Sequence, residues 1–224
     1  MPNSLLRSEI EADIKVRERN LTLLKTIPFR YDFRDSDKDL WSRCAFPIIY
    51  AEWEGFFVSA FSIYFREINK LGLVLDDLDK HYFVREAEKK FRQLKNYPDK
   101  IDKRHSFLMT MLAYFRDTGQ VSLCTDVNTE SNLGFNVVNT VLSNLNLKKI
   151  NDHIYNTEYS LKEKLDRFLL DTRNGIAHGN HEETITADDI DNAINLVKTL
   201  MYTVTDILEE GFNNQVYRKK ISHV

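Results

Sequence analysis

Residues that break regular structure are scarce in this chain, whose 224 residues include only 7 Gly and 4 Pro. Because these two residue types mark many turns and helix ends, their scarcity favours long helices. Cysteine is also rare, and Cys44 and Cys124 form no C-x-x-C pair. We therefore expect two reduced, packed thiols in a reducing compartment, with a disulfide or a reactive thiol as the less favoured alternative.

Long apolar runs and a large excess of one charge are absent too. The most apolar stretch, residues 56–65, is far shorter than the roughly 20 residues that cross a bilayer. The N-terminus lacks the apolar core of a signal peptide. The net charge is −3, so any contact with a polyanion needs a local basic patch. These features predict a soluble cytoplasmic protein without a membrane partner.

Apolar residues at helical spacing are what the chain contains instead, and hydrophobic residues make up 42% of it. The widest stripe, from about Lys38 to Asn69, is typical of a helix that is buried on more than one side. We interpret its rings as core rather than as a platform for stacking bases. Its members are Trp41, Cys44, Ala45, Ile48, Ile49, Trp53, Phe56, Phe57, Ala60, Phe61 and Phe65.

The same spacing predicts a bundle of seven helices. Two helix starts are marked by capping boxes, in which each of two side chains accepts a hydrogen bond from the backbone N–H of the other residue. They are Ser160-x-x-Glu163 and Thr186-x-x-Asp189. The break around Pro28 separates the first two helices, and Leu108 and Leu112 are expected to face inward from the fourth. The first five predicted helices cover about residues 5–25, 38–69, 77–95, 101–116 and 135–147. The sixth begins near residue 160 and the seventh near residue 186.

The fold class predicted from these patterns is all-α, without repeats, low-complexity segments or a long linker. We divide the chain into an N-terminal helix and connector (1–35), a helical domain (36–212) and a polar tail (213–224). The tail is expected to fray. A loop over residues 119–132 interrupts the domain, with a possible short extended piece at 121–124.

The most informative segment for chemistry is Asp171-Thr-Arg-Asn-Gly-Ile-Ala-His-Gly179, where Arg173 precedes His178 by five positions. Such a pair is weak by itself: 14 Arg and 6 His give about one chance match over three allowed spacings. Arg218 and His223 match too, but they lie in the polar tail. Arg173 and His178 lie between two patterned, capped helices, which favours them.

These residue types suit chemistry on a phosphodiester. A histidine such as His178 titrates near neutral pH and can move a proton, and the planar guanidinium of Arg173 matches a charged phosphate. Asn174 can orient either one through its amide. From the residues alone, however, the commoner role of Arg, Asn and His at a helix junction is to cap helix ends, and that alternative stays open.

Three ordered segments resemble the HEPN superfamily. Arg173-Asn174-Gly-Ile-Ala-His178 is similar to its R-x4-6-H signature. Pro47-Ile-Ile-Tyr-Ala-Glu-Trp-Glu-Gly-Phe56 and Glu130-Ser-Asn-Leu-Gly-Phe135 resemble segments of the stand-alone bacterial MAE-type branch. The resemblance covers most of residues 40–212. It implies an all-α HEPN-like bundle with additional helices and one longer loop, and with the motif near the start of the last helix.

The resemblance also implies a function. Catalytic HEPN domains are metal-independent endoribonucleases, usually homodimers with a composite site across the interface, and they leave a 2′,3′-cyclic phosphate. Carried over, His178 is the acid and base, Arg173 stabilises the phosphate and Asn174 assists. We expect a toxin or anti-phage effector acting on RNA, restrained by an antitoxin or another regulatory protein, without a cofactor. The alternatives are a non-catalytic HEPN module that dimerises or binds RNA or protein, and a purely structural bundle.

Weaker signals lie outside this motif. His181 is a possible accessory proton carrier, but a solvated loop residue is the more common case. We predict no metal site, because His178-x-x-His181 lacks a third ligand at metal spacing. Glu52 and Glu54 are expected to be structural.

A basic stretch can track an RNA backbone, although a solvated helix face is the commoner explanation. Its candidate RNA-binding residues are Arg85, Lys89, Lys90, Arg92 and Lys95.

Overall fold

The computed structural model describes residues 4–116, 119–130, 132–153, 160–180 and 184–220, and within these ranges the protein is all-α. The predicted fold class is confirmed: the described residues form no strand, only two isolated bridges. None of the described helices is long and apolar enough to cross a membrane. The helices are α1 (Ser4–Arg30), α2 (Asp35–Asn69), α3 (Lys80–Lys90), α4 (Ile101–Arg116), α5 (Phe135–Asn144), a π-helix (Glu163–Asp171), α6 (Thr172–Ala177) and α7 (Ala187–Asn213).

Helix α2 is the centre of the bundle and packs against both α1 and α7. Most of the stripe predicted from the sequence is confirmed as core, because its members from Ala45 to Phe65 are buried, but Ile48 and Cys44 are exposed and Trp41 is only partly buried. Burying each large ring contributes about 1.5–3 kcal/mol, so this helix supplies much of the hydrophobic stabilisation. The fully buried aromatic residues of α2 are Phe46, Tyr50, Trp53, Phe56, Phe57, Phe61, Tyr64 and Phe65.

Helix α1 runs through Pro28 to Arg30, so the predicted end near Lys25 is wrong. Proline has no N–H to donate to the carbonyl four residues earlier, that of Leu24. The indole N–H of Trp41 on α2 donates to that carbonyl instead, at 3.1 Å. The neighbouring helix thus satisfies the acceptor that the proline leaves unpaired.

The N-terminal helix is part of the bundle core and not an appendage. Leu6, Ile10 and Ile14 are fully buried against the other helices. The guanidinium of Arg17 lies 2.9 Å from the Glu52 carboxylate on α2, and this half-buried ion pair joins the two helices. Glu52 therefore has the structural role that we expected.

Helix α4 has the predicted bounds but a different orientation. Leu108 and Leu112 are 45% and 46% exposed, whereas we expected them to face inward. Phe107 is its only buried residue. Cys44 is also exposed, contrary to the expectation of two packed thiols. The spacing of apolar residues thus predicted the helices correctly, but it did not predict which of their faces would be covered by other parts of the chain.

The predicted third helix over residues 77–95 is in fact three pieces. A 3-10 turn at Leu75–Asp77 precedes α3, and another at Arg92–Leu94 follows it. In the predicted loop, the possible extended piece reduces to one bridge between Gln120 and Val74.

The C-terminal segment packs on the bundle through Lys220, so the predicted fraying is wrong for residues 214–220. Tyr217 is only 2% exposed. Its carbonyl accepts the N–H of Asp79 at 2.8 Å, and the N–H of Lys219 donates to the Asp77 carbonyl at 2.8 Å. Residues 221–224 lie outside the described part. The segment after α7 therefore closes the end of the bundle where α3 begins.

A pair of buried tyrosines links α2 to α3. The hydroxyl oxygens of Tyr64 and Tyr82 are 2.8 Å apart, so one donates to the other, and burial raises the pKa of both. We expect Tyr64→Phe or Tyr82→Phe to lower the free energy of unfolding by about 1–3 kcal/mol, because each leaves a buried hydroxyl without its partner. The double variant should cost less than the sum, as measured by urea unfolding in a double-mutant cycle. Additive losses would contradict this coupling.

Candidate active site

A π-helix leads into the segment that carries the candidate residues. It begins after Ser160, whose hydroxyl accepts the N–H of Glu163 at 3.1 Å while the Glu163 carboxylate accepts the Ser160 N–H at 3.1 Å. The predicted capping box is thus confirmed. The π geometry was not predicted, since periodicity does not distinguish it from an α-helix over nine residues. Such helices are rare and are frequent at functional sites.

The Arg173 guanidinium is half-buried and lies flat against an aromatic ring. Its central carbon is 4.7 Å from the centre of the Tyr50 ring on α2, which is a cation–π contact. One of its nitrogens donates to the side-chain oxygen of Asn174 at 2.6 Å. Among the described carboxylates, none forms an ion pair with Arg173. The guanidinium is therefore positioned without being neutralised.

His178 ends helix α6 and is exposed to solvent. Gly179 follows with a φ of 81°, a left-handed conformation that favours glycine. Its N–H donates to the carbonyl of Ile176 at 3.1 Å, and the Asn180 N–H donates to that of Gly175 at 2.9 Å, which together form a Schellman motif. Helix α6 therefore runs through Asn174 and Gly175 and ends at Ala177.

A second arginine approaches the end of the motif from α2. The guanidinium of Arg43 donates to the backbone carbonyl of Asn180, two residues after His178. Sequence reasoning did not identify Arg43. In the sequence, Arg43 is connected with the site only by its position seven residues before Tyr50, on the same face of α2. That position becomes informative once the structure shows that α6 packs against this face.

The other two recognised segments meet each other beneath the cluster. The Tyr50 hydroxyl accepts the backbone N–H of Leu133 at 2.6 Å, and the Trp53 indole N–H donates to the Leu133 carbonyl at 3.2 Å. Asp166 on the π-helix accepts the N–H of Phe135 at 2.7 Å, at the start of α5. Burial raises the pKa of the Tyr50 hydroxyl. These segments therefore act as supports of the cluster.

The candidate carboxylate Glu54 is structural, as expected, because it accepts the hydroxyl of Thr129 at 2.6 Å. His181 lies outside the described residues. Within the described part of the chain, no group of His, Cys, Asp and Glu is arranged to hold a metal ion.

The candidate RNA-binding residues divide into two groups. Arg85 is turned inward: its guanidinium donates to the carbonyls of Cys124 and Asp126 at 2.8 and 2.7 Å and lies 3.9 Å from the Phe65 ring centre. Burial lowers the pKa of Arg85. It therefore holds the loop before α5. The exposed candidates are Lys89, Lys90, Arg92 and Lys95.

Two substitutions at Tyr50 separate its two contacts. Tyr50→Phe keeps the ring under Arg173 but leaves the buried Leu133 N–H without an acceptor, so unfolding should become easier by about 1–3 kcal/mol. Tyr50→Leu also removes the aromatic face and should cost more. Thermal and urea unfolding measure both. An unfolding free energy for Tyr50→Phe equal to that of the wild type would exclude the hydroxyl as an anchor.

Comparison with known proteins identifies the family. The family model described as HEPN_MAE_28990:/-like HEPN matches residues 6–217, from within α1 to beyond α7. Comparisons with curated proteins and with solved structures gave no significant match. HEPN domains are all-α, as this chain is, and the assignment suggests a nuclease or RNA-binding type of module. The chain therefore belongs to this HEPN family.

Proposed function

We propose that this protein is a metal-independent endoribonuclease in which Arg173, Asn174 and His178 act on one phosphodiester. The observation that carries the proposal is their arrangement on helix α6. An exposed imidazole ends the helix, and a guanidinium that pairs with none of the described carboxylates lies five residues earlier, beside an amide. A proton carrier and an anion-binding group therefore lie on one short helical segment that reaches the surface, where RNA has access to it.

The proposed reaction is an internal transesterification. The 2′-oxygen of the ribose forms a bond to the adjacent phosphorus while the bond from phosphorus to the 5′-oxygen breaks. His178 takes the proton of the 2′-hydroxyl, and an imidazolium returns a proton to the departing 5′-oxygen. Arg173 donates to the phosphate oxygens as negative charge builds, and Asn174 orients the guanidinium. The products are a 2′,3′-cyclic phosphate and a 5′-hydroxyl, with no water consumed.

We also propose that two copies form the working enzyme, with both motifs facing one cleft. His178, Gly179 and Asn180 are all exposed, which leaves the end of the motif accessible to a second chain as well as to RNA. Sedimentation equilibrium at micromolar concentration should give twice the 26.4 kDa mass of one chain. A single-chain mass together with full cleavage activity would reject the composite cleft.

We propose in addition a biological role as a toxin or anti-phage effector in the cytoplasm. An enzyme that cuts RNA from an exposed cluster needs restraint, so an antitoxin or another regulatory protein is part of the proposal. The exposed basic residues Lys89, Lys90, Arg92 and Lys95 support RNA binding outside the cluster. Their contribution would be electrostatic and would weaken as salt rises.

Substitution of the two charged members of the cluster tests the activity. We expect His178→Ala and Arg173→Ala each to lower the rate of RNA cleavage at least 100-fold, because each removes a group that acts in the transition state. EDTA should leave wild-type cleavage unchanged. The measurement is the rate of appearance of cyclic-phosphate ends from a labelled RNA.

Matched controls separate this site from its alternatives. His105→Ala and Arg19→Ala remove exposed side chains of the same type elsewhere and should leave cleavage unchanged. Because His178 is exposed, His178→Ala should change the unfolding free energy by less than about 0.5 kcal/mol. A larger loss would favour a structural cap. No cleavage by clean wild type would favour the non-catalytic binding module, and retained cleavage by both site variants would place the activity elsewhere.

A further inference from the structure

A groove of about 610 Å³ lies between the π-helix and the first half of α7. This volume is within the range of sites that hold small molecules, about 300–1,000 Å³. Half-buried Phe168 and buried Leu196 form its apolar part, and Asn192 and Asn195 line it from α7. Neither side-chain amide bonds to another described residue. The groove therefore combines an aromatic ring with available hydrogen-bond donors and acceptors.

Phe168 connects this groove to the catalytic cluster. Its ring packs edge-on against Phe46, with centres 5.5 Å apart, and Arg173 packs against Tyr50. Phe46 and Tyr50 are four residues apart on α2, so their side chains are neighbours, about 5–6 Å apart. The groove thus begins one helical turn from the guanidinium that we propose binds the scissile phosphate. One nucleotide can span that distance.

Two cations and two carboxylates line the groove. Lys164 and Arg167 line it from the π-helix, and the Arg167 side chain is 78% exposed. Glu163 and Asp189 line it as well, but both carboxylates accept backbone N–H groups at helix starts, from Ser160 and Thr186. Each carboxylate caps a helix start but keeps its negative charge, and one Glu163 oxygen lies 4.0 Å from the Arg167 guanidinium. The Arg167 side chain is nevertheless mostly exposed and can reach a phosphate in solvent.

A second groove of similar size provides a contrast. It measures about 600 Å³ and lies between α3 and α5. Its walls include Val84, Val137 and Val141, and no Phe, Tyr or Trp lines it. Bases stack on aromatic faces, so the groove at Phe168 is the better match for a nucleobase.

We infer that the groove between the π-helix and α7 holds the nucleobase next to the scissile phosphate, and that Asn192 and Asn195 select which base enters. An amide carries both a donor and an acceptor, as the edges of nucleobases do. Phe168 supplies a surface for stacking, and the exposed Arg167 contacts the neighbouring phosphate. The inference rests on the proposed ribonuclease activity and gives that activity a preferred cut site.

The first test measures base preference in a pool of RNA with randomised sequence, by sequencing the cut ends. Wild type should prefer one base beside the cut. In Asn192→Ala or Asn195→Ala, the ratio between the best and worst base should fall roughly 5- to 100-fold, while cutting at the worst base stays unchanged. Asn144→Ala removes the same side chain from the second groove and should keep the preference.

The second test does not depend on cleavage. The four nucleoside 3′-monophosphates are titrated into His178→Ala protein by calorimetry, with and without Asn195→Ala. One nucleotide should bind more tightly than the others, and Asn195→Ala should remove that difference.

The two tests separate failure of the groove from failure of the enzyme. Cleavage without any preference, or with a preference that both asparagine variants keep, overturns the nucleobase subsite and leaves the ribonuclease standing. Selective, Asn195-dependent nucleotide binding without cleavage supports the groove as a nucleotide site and rejects the ribonuclease. If neither cleavage nor selective nucleotide binding is detected, both the ribonuclease and the nucleobase subsite are rejected.

Discussion

Tyr50 contacts two segments that are distant in the sequence, and the geometry of the cluster depends on both contacts. Its ring lies against the Arg173 guanidinium, and its hydroxyl holds the backbone of Leu133. Tyr50 belongs to α2, the most buried helix, so it cannot shift without disturbing the aromatic core. An aromatic face positions a cation without cancelling its charge, whereas a carboxylate would neutralise it. Arg173 is therefore rigidly held and still able to attract an anion.

The π-helix and the following α6 place one side chain each on the same neighbour. Phe168 and Arg173 both pack against α2, on Phe46 and Tyr50. In an α-helix, residues five apart point about 140° away from each other, because each residue advances by about 100°. A π-helix, whose bonds join residues five apart, brings such positions nearly into line. The chain from Phe168 to Asp171 lies in the π-helix, so its wider turn reduces this angle before α6 begins.

The supporting framework explains why three short segments are found together in one chain. Tyr50 and Trp53 bind both backbone groups of Leu133, and Asp166 binds the N–H of Phe135. The loop before α5 is therefore fastened to α2 and to the π-helix at once. Of the three segments, the one with Arg173 and His178 carries the proposed catalytic groups. The other two keep that segment in place, which is a role that motif matching alone does not distinguish from catalysis.

The sequence by itself determined the helical class, the capped helix starts and the buried stripe of α2, because these follow from local hydrogen bonding and from periodicity. It also identified Arg173 and His178 as neighbours on one short segment. Only the tertiary structure decided which faces are covered: Leu108 and Leu112 are exposed, the segment at Tyr217 is packed, and α1 passes through Pro28 because Trp41 supplies the missing donor. The π geometry, the approach of Arg43 and the inward turn of Arg85 likewise depend on residues far away in the chain. Burial and long-range hydrogen bonds are properties of the neighbours that a segment acquires on folding, and a local pattern does not specify them.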